Sequence, residues 1–285
     1  MTIGIASLIP VSGQIYYICK KTQAMWTKLE ELRNQYLDQG IMESLDYEKF
    51  CMISIVFNSS KIEGCSLSET DTRVLLENNI TALGKPLTDH LMVKDHFTAF
   101  LRIKELAAVK QKLSIEFIQE IASLVMKSTG GKVSAISGNF DTSRGDLRLA
   151  QVYVDKKYFP DFAKVPDLLN KMVENVNDRI DSVKSNEILK LSADIHYNFV
   201  NIHPFGDGNG RMARLLMNYI QLYHREPLIK IFTEDRAEYI DSLNETESLS
   251  DLEVFRGFVC RQQIKFYMAE LKKYRNGAPG FSLLF

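Results

Sequence analysis

Four cysteines, one tryptophan and seven prolines are few for a chain of 285 residues, and each scarcity excludes something. Cys19, Cys51, Cys65 and Cys260 are far apart and form no CxxC pair, so neither a zinc site nor a disulfide framework is expected. Long apolar runs are missing: nothing approaches the roughly 18–20 residues that a spanning helix needs. The N-terminal MTIGIASLIPVSGQIYYICKK lacks a basic start and a small-residue cleavage site, so it does not read as a signal peptide. An excess of either charge is missing too. With 35 basic and 36 acidic side chains the formal net charge is -1, which argues against bulk nucleic-acid binding. These absences lead to the expectation of a cytoplasmic protein with no nucleic-acid and no membrane partner. At 45% hydrophobic residues, the chain can bury a core without disulfides or a structural metal.

What is present is helical periodicity. Residues 23–39 place Met25, Leu29, Leu32 and Tyr36 at three-to-four spacing. A second helix is expected from about Asp46, a candidate N-cap, to Glu63, with Gly64 where a C-cap glycine falls. Further helices are predicted over 87–107, 113–127, 165–184, 186–202, 209–224, 234–247 and 251–274. One region breaks the pattern. Within 131–160, LRLAQVYV alternates and runs into a turn-like DKK, so one short β-hairpin is expected at about 146–160. The expected organisation is an N-terminal helical layer (1–85), a helical core (86–275) and a breaker-rich tail (276–285).

The informative stretch is HPFGDGNGRMAR, residues 203–214. It lacks the Lys-Ser/Thr of a P-loop. A calcium loop would need a bidentate Glu where Asn218 stands. A helix broken by Pro204 and restarted after the glycines delivers free N–H groups and a positive dipole end, an anion site. Gly208 and Gly210 let the backbone approach a phosphate without a Cβ in the way. Arg211 and Arg214 share one helix face and suit adjacent phosphates. Asp207 offers a hard oxygen for Mg²⁺ bridging phosphates. His203 is the side chain there able to act as a general base near neutral pH. Taken singly, each feature is more often structural. Their coincidence over eight specified positions has a chance on the order of 10⁻¹⁰ per window. The chemistry they describe together is phosphoryl or nucleotidyl transfer.

This motif resembles the signature of the Fic domain family, HxFx(D/E)GNGRxxR, at every specified position, and the similarity covers roughly residues 45–270. The resemblance implies an all-α Fic fold with a short β-hairpin flap. It also implies adenylyl transfer from ATP to a protein Ser, Thr or Tyr hydroxyl (AMPylation). His203 would then be the base and Asp207 the Mg²⁺ ligand. Gly208, Asn209 and Gly210 would cradle the α-phosphate, and Arg211 and Arg214 would bind the distal phosphates. Phe205 would anchor the loop in the core, and Tyr239 would lie near the adenine. The hairpin at 148–158 would dock a protein target by strand addition.

A second motif, SSKIEG at 59–64, is similar to the family's inhibitory helix, (S/T)xxxE(G/N). It puts Ser59 and Glu63 on one helix face. The resemblance implies that Glu63 pairs with Arg214 and blocks the γ-phosphate, in a chain that modifies itself once released. Cys65 stands where many relatives carry Asn. Two alternatives keep the same site: a hydrolase in which Glu63 orients a water to remove AMP, and an ATP-sensing module without turnover. A branch that transfers phosphate is disfavoured, because it replaces a motif glycine by lysine. A second copy of the chain stays among the candidate partners.

Overall fold

The computed structural model describes residues 11–44, 46–154 and 157–275, and the expected tail at 276–285 lies outside them. Among the described residues the architecture is all-α with two small hairpins: α1 (Val11–Asp38), α2 (Tyr47–Ile62), α3 (Glu69–Asn78), α4 (Leu87–Ala108), α5 (Ile115–Val125), β1 (Lys132–Ala135), β2 (Gly138–Asp141), β3 (Tyr153–Val154), β4 (Lys157–Tyr158), α6 (Val165–Ile180), α7 (Asn186–Ile202), α8 (Asn209–His224), α9 (Arg236–Leu249) and α10 (Leu252–Arg275). The apolar stripe read at 23–39 packs α1 along α10, burying Leu29, Leu32 and Tyr36. None of the described helices is long and apolar enough to cross a membrane.

The central pair is α7 and α8. Helix α8 is buried almost all round, through Met212, Ala213, Leu215, Leu216, Met217, Tyr219 and Ile220. A buried polar link joins the pair, Gln221 Nε2 donating to Ser192 Oγ at 2.8 Å. Asp194 holds α7 to its other neighbours, with its carboxylate 2.6 Å from Arg256 on α10 and 3.0 Å from Arg179 on α6. These ties fix the α7–α8 connection, residues 203–208, in space.

Three local readings are corrected. Asp46 precedes α2 but sits at φ 60° and makes no side-chain cap, so it breaks the chain without capping the helix. The expected single hairpin is two: β1 pairs with β2 in register Lys132 to Asp141, and β3 with β4 in register Tyr153 to Tyr158. The alternation of LRLAQVYV is strand only at its end, because Arg148 is drawn inward to bond main-chain carbonyls. Helix α3 was not anticipated. Its one sequence signal is a capping box, Ser68 with Asp71, at the head of a mostly polar segment.

Helix α2 is set into the core. Tyr47, Cys51, Met52, Ile53, Ile55, Val56, Asn58, Ser59, Ser60 and Ile62 are all buried. Asn58 accepts from the Thr233 N–H at 2.9 Å and donates to Ser54 O at 2.9 Å, locking α2 to the 3-10 turn Thr233–Asp235. Arg236 Nε donates to Ile62 O at 2.9 Å and caps the C-terminal end. Asn58→Ala leaves the Thr233 N–H unpaired, and should destabilise by about 1–3 kcal/mol. Urea unfolding should show a lower midpoint at unchanged slope. An unaltered midpoint would mean that the amide is not holding α2.

Candidate active site

Helix α7 ends at His203, which closes it in the left-handed region at φ 51°, its N–H donating to Phe199 O. Pro204 then prevents continuation. The loop is stapled from within by Asn209, whose amide oxygen accepts from Phe205 N at 3.0 Å and whose amide nitrogen donates to Phe205 O at 2.9 Å. The Phe205 ring is buried beside Phe199, as an anchor should be. Gly208 begins α8 at φ 79°, and a Cβ there would lie 2.9 Å from Met126 Sδ. No side chain caps α8, so its first-turn N–H groups and positive dipole end face the loop.

His203 lies on this rim. Its Nδ1 is 3.3 Å from the Val200 carbonyl, which can only accept, so Nδ1 carries the proton and Nε2 keeps its lone pair. Burial depresses the ring's pKa to about 4, with Arg148 and Lys157 pushing the same way and the Val200 bond and Asp207 opposing. The imidazole is therefore neutral at pH 7. The Phe159 ring stacks on it at 3.9 Å, and Lys157 Nζ lies 5.4 Å from the Phe159 centroid. Lys157 also bonds Asn201 at 2.6 Å and Glu247 at 2.7 Å, which ties β4 to α7 and α9.

The two arginines are held differently. Arg211 is buried and donates to Val125 O at 3.1 Å, at the negative end of α5. Arg214 is 3% exposed, with Nε 2.7 Å from Ser59 Oγ, Nη2 3.1 Å from Ser59 O, and Nη2 2.5 Å from Glu63 Oε1. Its Nη1 is 3.5 Å from the Tyr239 hydroxyl, which is itself 3.1 Å from His196 Nε2. Tyr239 is buried against Phe255 and Phe258, so its contacts run to Arg214 and His196 from inside the core. The Glu63 carboxylate covers Gly210 so closely that a Cβ there would meet Oε1 at 2.3 Å. Burial alone would raise the Glu63 pKa, but the charge and hydrogen bond of Arg214, with Arg211 and Arg236 behind it, hold it below the ordinary value. Burial likewise works against the Arg214 charge, and Glu63 outweighs it.

Asp207 is the exposed carboxylate of the loop. Among the described residues no three His, Cys, Asp or Glu side chains gather into a metal cage. Magnesium asks for less: one or two carboxylates suffice when phosphates and water complete its shell. Asp207 beside an uncapped helix N-terminus fits that donor set.

Sequence reasoning missed Arg148, Phe159 and Lys157, which surround His203 from the β3–β4 segment. Phe140 was also missed. It packs on the loop so tightly that a Cβ on Gly206 would lie 3.0 Å from its ring. No local pattern marks these residues, because each acts across the fold.

A helical core whose central helix pair opens into a His-Pro loop and an uncapped helix N-terminus has the features of a helical domain suited to an anion. The comparisons narrow it. Residues 112–221 match the model of the Fic/DOC family, so the chain carries a domain of that family. It is 33% identical over 225 residues to protein adenylyltransferase fic-1 of Caenorhabditis briggsae, a match covering 76% of this chain and 41% of that protein. It is 30% identical over 264 residues to protein adenylyltransferase Fic of Nematostella vectensis, covering 90% and 58%. The chain thus spans about half the length of these curated relatives. Among solved structures, Fic-1 from Caenorhabditis elegans superposes with TM-score 0.72 at 26% identity, covering 91% of this chain and 76% of that one. A Fic-domain signalling protein from Bacteroides thetaiotaomicron gives TM-score 0.68 at 23% identity, covering 90% and 96%.

Two predictions follow the electrostatics. Histidine-detected NMR should place the His203 midpoint near 4, with Nδ1 protonated at neutral pH; a midpoint at the ordinary 6.5 would contradict the burial described. The Glu63–Arg214 pair stabilises the fold above the ordinary carboxylate range, and that contribution disappears as pH falls through the lowered pKa. Glu63→Gln should therefore be less stable than the parent by about 1–2 kcal/mol at pH 7. That is less than a fully buried pair would lose, because a third of Glu63 is exposed and Ser59 still bonds Arg214. The difference should shrink below pH 4.5, the carboxylate's ordinary value. Calorimetry across that range would expose a pair that contributes nothing.

Proposed function

We propose that this chain is a protein adenylyltransferase, transferring AMP from ATP to a Ser, Thr or Tyr hydroxyl of a protein target and of itself, and that Glu63 holds it inhibited. The observation that carries the reading is one continuous element: a neutral His203 with a free Nε2, an uncapped helix N-terminus, and Arg214 engaged by Glu63 directly over Gly210. The names of the curated relatives support the donor and the reaction.

The chemistry follows from the geometry. Phosphates enter over Gly208, Asn209 and Gly210, where main-chain N–H groups and the helix dipole stabilise negative charge. Asn209 contributes its backbone there, because its side chain is spent on Phe205. Arg211 adds charge from behind the loop. His203 Nε2 takes the proton of the attacking hydroxyl as its oxygen bonds the α-phosphorus. The bond to the β-phosphate breaks, and pyrophosphate leaves. Asp207 would hold Mg²⁺, which when bound neutralises phosphate charge. The target docks as an added strand on β3–β4, where Tyr153 and Tyr158 are exposed with ring centroids 5.8 Å apart. Arg214 receives the γ-phosphate only when Glu63 releases it; until then the triphosphate lies askew for in-line attack. A second reading, removal of AMP by hydrolysis, is favoured by the partial exposure of Glu63, which can orient a water over the same loop. Cys51, Cys65 and Cys260 are free thiols, which agrees with a cytoplasmic setting.

Mass spectrometry of the 285-residue chain incubated with ATP and Mg²⁺ tests the proposal. Wild type should carry little adenylyl adduct, and Glu63→Gly should raise the rate on the order of 100-fold, equivalent to an occluding interaction of roughly 3 kcal/mol. Adding His203→Ala should lower that rate about 10²–10⁴-fold while ATP still binds. Equal labelling of Glu63→Gly and wild type, both folded and binding ATP, would sink the autoinhibition.

A further inference from the structure

One buried charge lies next to the site without a role in the chemistry above. Arg148 is 1% exposed, and its guanidinium is directed at main-chain carbonyls. Nε donates to His203 O at 2.7 Å, Nη1 to Ala150 O at 2.8 Å, and Nη2 to Pro160 O at 2.6 Å. Its own N–H donates to Pro204 O at 3.0 Å. Burial works against its charge, and Asp161 partly offsets that. The acceptors are telling. Ala150 and Pro160 are the two chain positions that enter and leave the β3–β4 hairpin, and His203 is the residue that caps the end of α7, in a left-handed conformation with its carbonyl beyond the helical ladder.

We propose that Arg148 is a positioning residue that locks the β3–β4 hairpin and the His203 backbone into one rigid unit, so that a hydroxyl presented by the hairpin meets the ring that removes its proton. This rests on the adenylyl-transfer reading. Three charge-assisted bonds from one planar group fix three carbonyls relative to each other, which separate neutral bonds along the hairpin do not. Among the described residues the hairpin's own strands are two residues each, closed by Phe159 N to Val152 O at 3.3 Å and Gln151 Nε2 to Phe159 O at 2.6 Å, and Lys157 ties its outer strand to Asn201 and Glu247. Stacking of Phe159 on His203 then transmits hairpin position to the ring itself. A lysine in place of Arg148 keeps the charge but not the planar fork, so it cannot reach all three carbonyls.

Hydrogen exchange on the full chain tests this without turnover. In wild type, the Arg148 and Phe159 amides should open with a common free energy, as members of one cooperative unit. Arg148→Lys should speed exchange across the described hairpin amides between 149 and 160 by about tenfold and leave α10 unchanged. In the Glu63→Gly background, Arg148→Lys should lower the turnover number for self-modification on the order of 100-fold with ATP affinity kept, as for a misplaced reacting pair. Hairpin exchange unchanged by the substitution overturns the proposal. So does a wild-type Phe159 amide that opens far more readily than Arg148, a measurement that stands even if the variant fails to fold. A loss of ATP affinity matching the loss of rate also overturns it, since Arg148 would then only support the nucleotide loop. A Glu63→Gly parent that transfers nothing refutes the proposed function, while the exchange experiments still decide the role of Arg148.

Discussion

A guanidinium buried to 3% exposure must have partners, and Arg214 organises much of the molecule around that requirement. An unpaired buried charge costs several kcal/mol, so the surroundings supply Ser59 Oγ and O, Glu63 and the Tyr239 hydroxyl. Three elements are thereby committed: α8 provides the cation, α2 with its capping residue Glu63 provides the hydroxyl and the anion, and α9 provides the phenol. Under the proposed function a γ-phosphate would compete with Glu63 for the same charge. Inhibitor and substrate then differ only in which anion neutralises Arg214, and no separate switch is needed.

Under the proposed function, little of the 203–214 motif would touch nucleotide. Asn209 spends its side chain closing the loop on Phe205, and Phe205 anchors it. Gly208 satisfies a positive φ under Met126, and Gly210 leaves room for Glu63. Arg211 steadies the end of α5. Under that reading, His203, Asp207, the α8 N–H groups and Arg214 would be left as the parts of the motif directed at a ligand. The rest is the framework that keeps these few in register.

The legibility of the sequence follows from the range of each interaction. Helices with strong apolar stripes were readable, and so was the 203–214 motif, because its parts are sequential neighbours. The pairing of Glu63 with Arg214 was readable only through resemblance, since 151 positions separate them. Helix α3 escaped because its polar segment has a cap but little stripe. The second hairpin escaped because β1 and β2 are largely exposed and carry no clean alternation. Arg148 was the least readable of all. A buried arginine serving carbonyls 2, 12 and 55 positions away looks, in sequence, like one more exposed strand residue.

Helix α2 is buried on nearly every side, pinned at Asn58 and capped by Arg236, and it ends one residue before Glu63. Gly64 follows at φ 95°, with open space where a Cβ would stand, and its N–H donates to Lys61 O at 3.0 Å while that of Cys65 donates to Ser60 O at 3.1 Å. The Glu63 carboxylate is thus mounted on a backbone that main-chain bonds hold at the end of a buried helix. Under the proposed function its release would call for a rotation within that one side chain, and not the slow withdrawal of a helix. An activating event with that geometry leaves the fold's outline untouched. A comparison of overall shapes before and after would record no change, although the site had opened.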